Sequence, residues 1–294
     1  MSNNKRQTIS VTLATFNEEA FLEDCLKSVV DWVDEIVVVD GHSTDKTVEI
    51  AKKYKAKVLL RENNPIFHVQ KQIANNEAKS DWILQLDADE RVTNDLKREI
   101  LLLIEGKSFG KNSWISPAKK LLNRLIPIFK LPVKLHRPAS AYWLTRTNFF
   151  LGKHLKNTGQ YPDPVIRLFQ NSKAYLPAKS VHEQMVVNGE VGWLEGDLLH
   201  FATPTFDRYL LREDRYSSLT AKELKDQKLK INLFNTLNYL FLKPIGTFLK
   251  LFFRYRGFLD GFPGFIFSIF SGLHFAFAYM KLWELYKKED LALK

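Results

Sequence analysis

The sequence predicts an α/β fold with a mostly parallel sheet, helices on both faces of that sheet, and amphipathic helices at the C-terminal end. Strand and helix patterns alternate with short connections over residues 9–104, which is the succession expected of a parallel sheet. Residues 36–39 within the segment 35–40 are an unbroken run of β-branched side chains, as in a strand buried on both faces. Residues 262–280 contain no charged side chain. These three observations define the fold class.

The elements of the first hundred residues follow from their periodicity and turn signals. Strands are predicted at residues 9–15, 35–40, 57–60 and 82–86, and helices at residues 19–30, 44–54 and 69–79. Prolines punctuate residues 105–205, and this segment is predicted to be irregular. A charged helix is expected at 206–226, and an apolar, basic helical stretch broken at Pro244 is expected at 231–256. We therefore divide the chain into 1–105, 106–205 and 206–294.

Charge and cysteine usage limit the partners and the compartment. The 294-residue chain has a formal net charge of +10, which suits nucleic acid, an anionic membrane or phosphorylated substrates. Residues 119–137 carry six Lys/Arg and no acid among bulky aliphatic side chains, a pattern that favours a membrane surface. The single cysteine, Cys25, makes no internal disulfide, and residues 1–7 lack an export-signal pattern. Both observations favour the cytoplasm.

Acidic residues follow three of the predicted strands. Ligands of open parallel sheets lie beyond the carboxyl ends of the strands, so these positions are the candidate site. Asp87 and Asp89 are separated by one residue, and in extended backbone their side chains point to the same side. Hard oxygen ligands of this kind suit Mg²⁺ or Mn²⁺ carrying a diphosphate. An isolated Asp-x-Asp is more often a solvated loop, but this one ends an apolar strand at the required edge.

The loops after the first two strands offer further polar contacts. Asp40 ends its strand, where it is positioned to accept a hydrogen bond from a nucleobase N–H. Asn17 and Glu18 are placed for a base or ribose, although Glu18 also suits the first turn of a helix. Ser43 and Asp45 have an equally good structural interpretation as caps of the following helix.

Four segments in order resemble the donor half of family 2 glycosyltransferases of GT-A fold, in the branch of lipopolysaccharide core β-glucosyltransferases. The segments are residues 14–19 (ATFNEE), 38–45 (VVDGHSTD), 70–75 (QKQIAN) and 86–91 (LDADER). The resemblance covers roughly residues 8–205 and is looser beyond them. Two positions depart from the family pattern, Phe16 and Gln72. Phe16 should be harmless, whereas Gln72 leaves open which contact its helix makes.

The resemblance implies roles for the donor-side residues. It implies that the uridine part of a UDP-sugar is bound by Thr15, Asn17, Glu18 and Asp40. It also implies that Lys71 lies near the diphosphate and that Asp89 holds the metal, with Asp87 beside it.

The second half is expected to supply a base, because inverting transfer to a hydroxyl needs a carboxylate or histidine near the acceptor oxygen. Glu183, after His182, is the first choice, and Asp163 is the reserve. His182 and His200 are candidates to assist the metal or diphosphate, although a lone histidine is more often structural. Arg167 is a candidate phosphate or acceptor contact.

Three arginines, Arg208, Arg212 and Arg215, are spaced to share one face of the 206–226 helix. One interpretation is a clamp for an anionic acceptor or diphosphate. The other is salt bridging to Glu213 and Asp214, and the sequence favours neither.

The apolar C-terminal region is interpreted as membrane-associated. Residues 262–280 approach spanning length but contain proline, glycine, serine and histidine and have basic residues on both sides. Helices lying in the interface are favoured over a spanning helix or a buried oligomer surface.

The leading hypothesis is inverting transfer of a sugar from a nucleotide-diphosphate donor to a lipid-linked or lipopolysaccharide-type acceptor at the cytoplasmic face of a membrane. A polyprenyl-phosphate sugar transferase is the enzymatic alternative. The alternative of another class is a non-catalytic basic adaptor for membrane or nucleic acid. Acids gathered at the sheet edge would repel phosphates, so nucleic acid is not expected as a partner.

Overall fold

The computed structural model describes residues 6–64, 66–106, 139–177 and 184–292. The basic segment 119–137 and the pair His182 and Glu183 therefore lie outside the described residues. Within the described part, the chain divides into two compact units. Unit 1 comprises residues 1–146 and 164–200, and unit 2 comprises residues 147–163 and 201–294.

Unit 1 begins with the predicted alternation of strands and helices. The strands are β1 Ile9–Thr15, β2 Glu35–Asp40, β3 Lys57–Leu60, β4 Trp82–Leu86 and β5 Glu90–Val92. The helices are α1 Leu22–Lys27, α2 Thr47–Lys53, α3 Phe67–Glu77 and α4 Asn94–Ile104. The first four strands have the predicted bounds. Helix α1 is shorter than predicted, because residues 16–21 form turns instead of a first helical turn.

The later strands are β6 Ala141–Phe150, β7 Lys153–His154, β8 Asp163–Gln170, β9 Ala174–Tyr175, β10 Val186–Val187 and β11 Val191–Thr203. The nine-stranded sheet has the order β3-β2-β1-β4-β8-β6-β11-β5, with β7 beside β6. Strands β1 to β4 pair in parallel, whereas β8 joins β4 and β5 joins β11 in antiparallel pairs. The α/β class is confirmed, and the sheet is mixed. Residues 105–205, which the sequence predicted to be irregular, contain three long strands of this sheet, so that prediction is wrong for β6, β8 and β11.

The core of unit 1 lies on both faces of the parallel strands. On one face, alternate residues such as Val11 and Leu13 pack against α1, α2 and α4. On the other face, Val37 and Val39 pack against Ala74 of α3. The predicted covering of both faces by helices is therefore confirmed. Cys25 is buried in α1, and burial raises the pKa of its thiol, as expected of an unreactive cysteine.

Unit 2 contains the C-terminal helices, named here α5 Phe206–Asp226, α6 Leu233–Leu237, α7 Lys243–Leu249 and α8 Gly261–Ala292. Helix α5 has the predicted bounds. The helical run from Leu233 does not break at Pro244 as predicted. Two π-helical stretches, Asn238–Leu242 and Lys250–Arg254, continue it instead. Pro244 falls within the first two positions of α7, immediately after a π stretch, where the change in hydrogen-bond pattern accommodates its missing N–H.

Helix α8 packs against α5 and against the helical run 233–254 within unit 2. It belongs to a stretch, Gly257–Lys288, that is long and apolar enough to cross a membrane, with about one-third of its most apolar window buried. Gly272 allows the close approach of α8 to α7, because a Cβ built there would lie 2.5 Å from the Pro244 carbonyl oxygen.

Candidate active site at the carboxyl ends of the parallel strands

The ends of β2, β1 and β4 meet at one edge of the sheet. These three strands are neighbours and run parallel, with Thr15 of β1 opposite Asp40 and Leu13 opposite Leu86. Asp87 follows Leu86 directly, so Asp40 and Asp87 lie on either side of the end of β1. The structure thus brings together the acidic strand ends that the sequence singled out.

Hydrogen bonds join the loops that follow β1 and β2. The side-chain oxygen of Asn17 accepts from the Thr44 backbone N–H at 2.8 Å, and the Asn17 N–H donates to the Ser43 hydroxyl at 2.8 Å. Asn17 has a φ of 55°, in the left-handed region that asparagine tolerates better than most residues. The Glu18 N–H donates to the Thr47 hydroxyl at 2.8 Å. The two loops therefore form one polar surface at the sheet edge.

Asp40 is fully buried and organises the turn after β2. Its carboxylate accepts from the Thr15 hydroxyl at 2.8 Å, from the Ser43 N–H at 2.7 Å and from the Ser43 hydroxyl at 2.6 Å. Three donors compensate the burial of the charged group. Asp45 has a similar role one turn later, where it accepts from the Glu19 N–H at 3.0 Å and the Thr47 N–H at 2.9 Å.

Asp87 is held between two cationic side chains. One carboxylate oxygen contacts the Lys71 ammonium of α3, and the other contacts the Arg167 guanidinium of β8. Arg167 also donates to Glu90 at 2.8 Å and to Gln85 at 3.0 Å. Strand β8 thereby fastens the loop after β4 from the antiparallel side of the sheet.

Glu90 is the second acidic residue of this cluster, and it is buried. Its side chain is fully buried, and its second carboxylate oxygen accepts from the Asp87 backbone N–H at 2.9 Å. The Arg146 guanidinium lies 3.6 Å from the oxygen that Arg167 contacts. Three cations therefore surround two carboxylates, which is the pairing that buried ionised groups require.

The ionisation of the cluster follows from burial and charge. Burial alone would raise the pKa of Asp87, but Arg167 and Lys71 outweigh it and hold that pKa far below its ordinary value. Burial lowers the pKa of Lys71, and the nearby Asp87 opposes this shift only in part. Burial would also lower the pKa of Arg167, but Asp87 and Glu90 raise it. Asp87 and Arg167 thus remain an ion pair across the physiological range.

Asp89 has a different environment from Asp87, although one residue separates them. One of its carboxylate oxygens lies 3.7 Å from Nε2 of His200, on β11. His200 is buried and lies opposite Glu90 in the β11–β5 pair, which fixes its position. The structure thus brings together two candidate metal ligands that are far apart in the sequence, Asp89 and His200.

Asp89 and His200 could hold a divalent cation whose other ligands are water and substrate phosphates. Among the residues the structure describes, no three His, Cys, Asp or Glu side chains form a metal-binding group. Mg²⁺ commonly binds through one or two carboxylates plus water and substrate phosphates, and Mn²⁺ accepts carboxylate ligands as well. The Asp89 carboxylate fits that pattern, and the His200 imidazole lies close enough to it to add a nitrogen ligand. Asp87 fits it less well, because both its oxygens already face cations.

The remaining predicted residues lie in unit 2 or outside the described part. Asp163 accepts from the Asn148 side-chain amide at 3.2 Å. Arg212 lies 5.3 Å from the Tyr216 ring centre on exposed helix α5, where Arg215 is also exposed. The predicted salt-bridge partners of these arginines contact other residues: Glu213 bonds His274, and Asp214 bonds Lys281. His182 and Glu183 lie beyond the described residues, so their roles remain predictions.

Two members of the charged cluster carried no assigned role at the sequence level. Glu90 belongs to the Asp-Ala-Asp-Glu segment, so an acid directly after the Asp pair was its signal. Arg146 stands in a strand with no motif around it, and its pairing with Glu90 depends on the fold of residues 56 positions apart.

Part of the chain matches a known protein family. Residues 10–118 match Glycosyl transferase family 2. This match confirms the resemblance to family 2 glycosyltransferases over that part of the chain.

Two curated relatives extend along nearly the whole chain. An uncharacterized glycosyltransferase of Rickettsia typhi is 29% identical, covering 97% of this chain and 88% of the relative. The lipopolysaccharide core biosynthesis glycosyltransferase LpsC of Rhizobium meliloti is 27% identical, covering 96% of this chain and 93% of its own. Among solved structures, S. aureus TarS in complex with UDP has 15% identity and a TM-score of 0.43, covering 94% of this chain and 88% of that one.

Proposed function

We propose that the protein transfers a sugar, with inversion, from a UDP-sugar to a lipid-linked or lipopolysaccharide-type acceptor, assisted by Mg²⁺ or Mn²⁺ at the cytoplasmic face of a membrane. The family 2 domain supports the reaction class. The full-length similarity to a lipopolysaccharide core glycosyltransferase supports the acceptor class.

The observation that carries the proposal is the contrast between the two aspartates after β4. Asp87 is neutralised by Lys71 and Arg167, whereas Asp89 lies beside His200. Both oxygens of Asp87 already contact cations, so Asp89, beside the imidazole of His200, is the better placed of the two for a divalent ion. The arrangement suits a divalent ion on Asp89, with a diphosphate added at the edge where β1, β2 and β4 end.

On this proposal, the loops after β1 and β2 hold the nucleoside. Asn17 and Glu18 present polar groups at the sheet edge, while Thr15 and buried Asp40 fix the turn that shapes it. Lys71 and Arg167 hold Asp87 and thereby the backbone that presents Asp89. The bound ion would stabilise negative charge on the departing nucleoside diphosphate.

Glu183 is the proposed base. The acceptor hydroxyl oxygen bonds to the anomeric carbon on the face opposite the diphosphate, and the bond from that carbon to the phosphate oxygen breaks. Glu183 takes the hydroxyl proton, and the bonding electrons leave with the diphosphate. A carboxylate suits this role because its proton affinity rises once it is desolvated near substrate.

The proposal is tested by incubating the full chain with a panel of nucleotide sugars, Mg²⁺ or Mn²⁺, and lipopolysaccharide-type or polyprenyl-phosphate acceptors. Product is detected by mass spectrometry. Asp89→Ala should abolish turnover with every donor, whereas Asp95→Ala, at an acid whose side chain is 81% exposed on α4, should retain it. Full activity in Asp89→Ala would refute the metal role. Transfer only to polyprenyl phosphate would establish the alternative acceptor.

A further inference from the structure

Unit 2 exposes a continuous series of large apolar side chains along the helical run 233–254. We call these residues the apolar surface: Phe234, Leu237, Phe241, Ile245, Leu249 and Phe253. Each has between 47% and 73% of its surface exposed. Exposed apolar side chains that occur singly are ordinary, but a contiguous series indicates an interaction surface.

The helical geometry keeps the apolar surface on one side of the run. After the first step of three, its members are spaced four residues apart. An α-helix of 3.6 residues per turn would steadily rotate such a series around its axis. The π-helical stretches Asn238–Leu242 and Lys250–Arg254 bond from i to i+5 and hold more residues per turn, which counteracts that rotation.

The opposite side of the same run is packed. Tyr239 is buried against Ala278, Tyr279 and Leu282 of α8, and its ring stacks on that of Tyr279 at 5.3 Å between ring centres. Pro244 is buried beside Gly272. Helix α8 therefore packs against one side of the 233–254 run, and the apolar surface on the other side is exposed.

The charge around the apolar surface has one sign. Residues 231–259 contain four basic side chains and no acidic one. Lys250, Arg254 and Arg256 are exposed, and Lys243 lies 3.6 Å from the ring centre of Tyr239. Two copies of this surface placed face to face would bring like charges together, whereas an anionic lipid headgroup layer would complement them.

Polar contacts along α8 are unfavourable for a membrane-spanning helix. His274 contacts Glu213 at 2.6 Å, and Lys281 contacts Asp214 at 2.8 Å. The Asp214 side chain is 75% exposed, so this ion pair is solvated. A span would place the His274–Glu213 contact in its middle and the Lys281–Asp214 ion pair near one end, which would be costly, whereas a helix parallel to the interface keeps the exposed pair in water.

We propose that the apolar surface docks onto the interface of an anionic lipid bilayer, with the 233–254 run lying in the membrane plane and α8 as its support. This deepens the membrane association within the proposed function. It assigns the contact to particular side chains and to acidic phospholipid.

The test uses the full chain and sedimentation with vesicles of phosphatidylcholine containing about one-third phosphatidylglycerol. Phe241→Ser with Ile245→Ser should weaken partitioning roughly tenfold or more. Tyr175→Ser with Val186→Ser is the matched control, because these unit 1 side chains are 54% and 42% exposed, and it should bind like the wild type. Circular dichroism verifies that each variant is folded.

A second pair of variants tests the charge. Lys250→Gln with Arg254→Gln should weaken binding to the anionic vesicles about tenfold and leave weak binding to pure phosphatidylcholine unchanged. Equal binding by wild type and the Phe241/Ile245 variant would overturn the proposal. The proposal would also be overturned if the wild type were a dimer and the Phe241/Ile245 variant a monomer in sedimentation velocity while both bound vesicles equally. The surface would then be a contact between copies of the chain. UDP binding measured on the same proteins keeps this outcome separate from that of the transfer reaction.

Discussion

Replacing Arg167 by methionine should destabilise unit 1 strongly. Methionine has a similar length but leaves Glu90, which is fully buried, and Asp87 without their shared guanidinium. Removing one partner of a buried ion pair costs about 3–5 kcal/mol. Lys71 still contacts Asp87, and Arg146 remains 3.6 Å from Glu90, so the lower end of that range, about 3 kcal/mol, is expected.

The free energy of unfolding that Arg167→Met loses should depend on pH, and the pKa of Asp87 gives the direction of that dependence. The pKa of Asp87 is lowered in the folded wild type, so its contribution to stability is present above the ordinary aspartate pKa of about 4 and is lost as pH falls toward the folded value. Without Arg167 the folded pKa of Asp87 moves back toward its ordinary value. The difference in stability between wild type and variant should therefore be complete at neutral pH and should narrow as the pH falls below about 4.

Urea unfolding followed by the fluorescence of buried Trp32 and Trp82 measures this difference. Arg98→Met is the matched control, because the Arg98 side chain is 73% exposed and pairs only with exposed Asp95 among the ion pairs described for it. Its expected effect is within about 0.5 kcal/mol. A loss of stability for Arg167→Met no larger than that of this control, or one that grows as the pH falls below about 4, would contradict the role of Arg167 in the cluster.

Two further changes probe the base and the helical packing. Glu183→Gln should lower the rate of transfer by about 10²–10⁴-fold while donor affinity, measured by calorimetry, stays unchanged; a collapse of donor affinity would show that Glu183 is not the base. Gly272→Ala should lower the free energy of unfolding by about 1–3 kcal/mol, because its Cβ would meet the Pro244 carbonyl, while Gly246→Ala, where a Cβ meets nothing, should stabilise by up to about 1 kcal/mol; equal effects in thermal melts would contradict the close approach of α8.

Local sequence predicted the parallel half of the sheet well. β1, β2 and β4 are apolar or β-branched runs buried on both faces, and such runs need no knowledge of distant partners to be recognised. Helix α5 has the bounds predicted from its charged helical pattern, and in the structure Thr205 caps it and its first turn carries Asp207.

The antiparallel half was harder to predict because its strands depend on distant pairing. Strand β11 alternates buried and half-buried residues over its whole length, yet it includes Gly192, Gly196 and two acids, which weaken a strand pattern. Gly196 is required because a Cβ there would lie 2.4 Å from the Leu96 backbone of α4, a contact no local pattern reveals.

In the candidate site, too, some features could be predicted from local sequence and others depend on contacts between distant residues. The positions of Asp40 and Asp87 at one edge follow from strand order, and the sequence predicted them. The pairing of Asp87 with Arg167 joins residues 80 positions apart, and that of Asp89 with His200 joins two chain halves. Such contacts are created by tertiary packing, so residue type and spacing alone could not distinguish the roles of the two aspartates.

The central claim is that the ends of β1, β2 and β4 form one site for a nucleoside diphosphate and a divalent ion. Thermal unfolding with UDP and Mn²⁺, separately and together, tests it most directly. UDP and Mn²⁺ together are expected to raise the melting temperature of the wild type more than either alone, and Asp89→Ala is expected to lose this cooperative increase. Stabilisation by DNA alone, with no response to UDP and Mn²⁺, would contradict it.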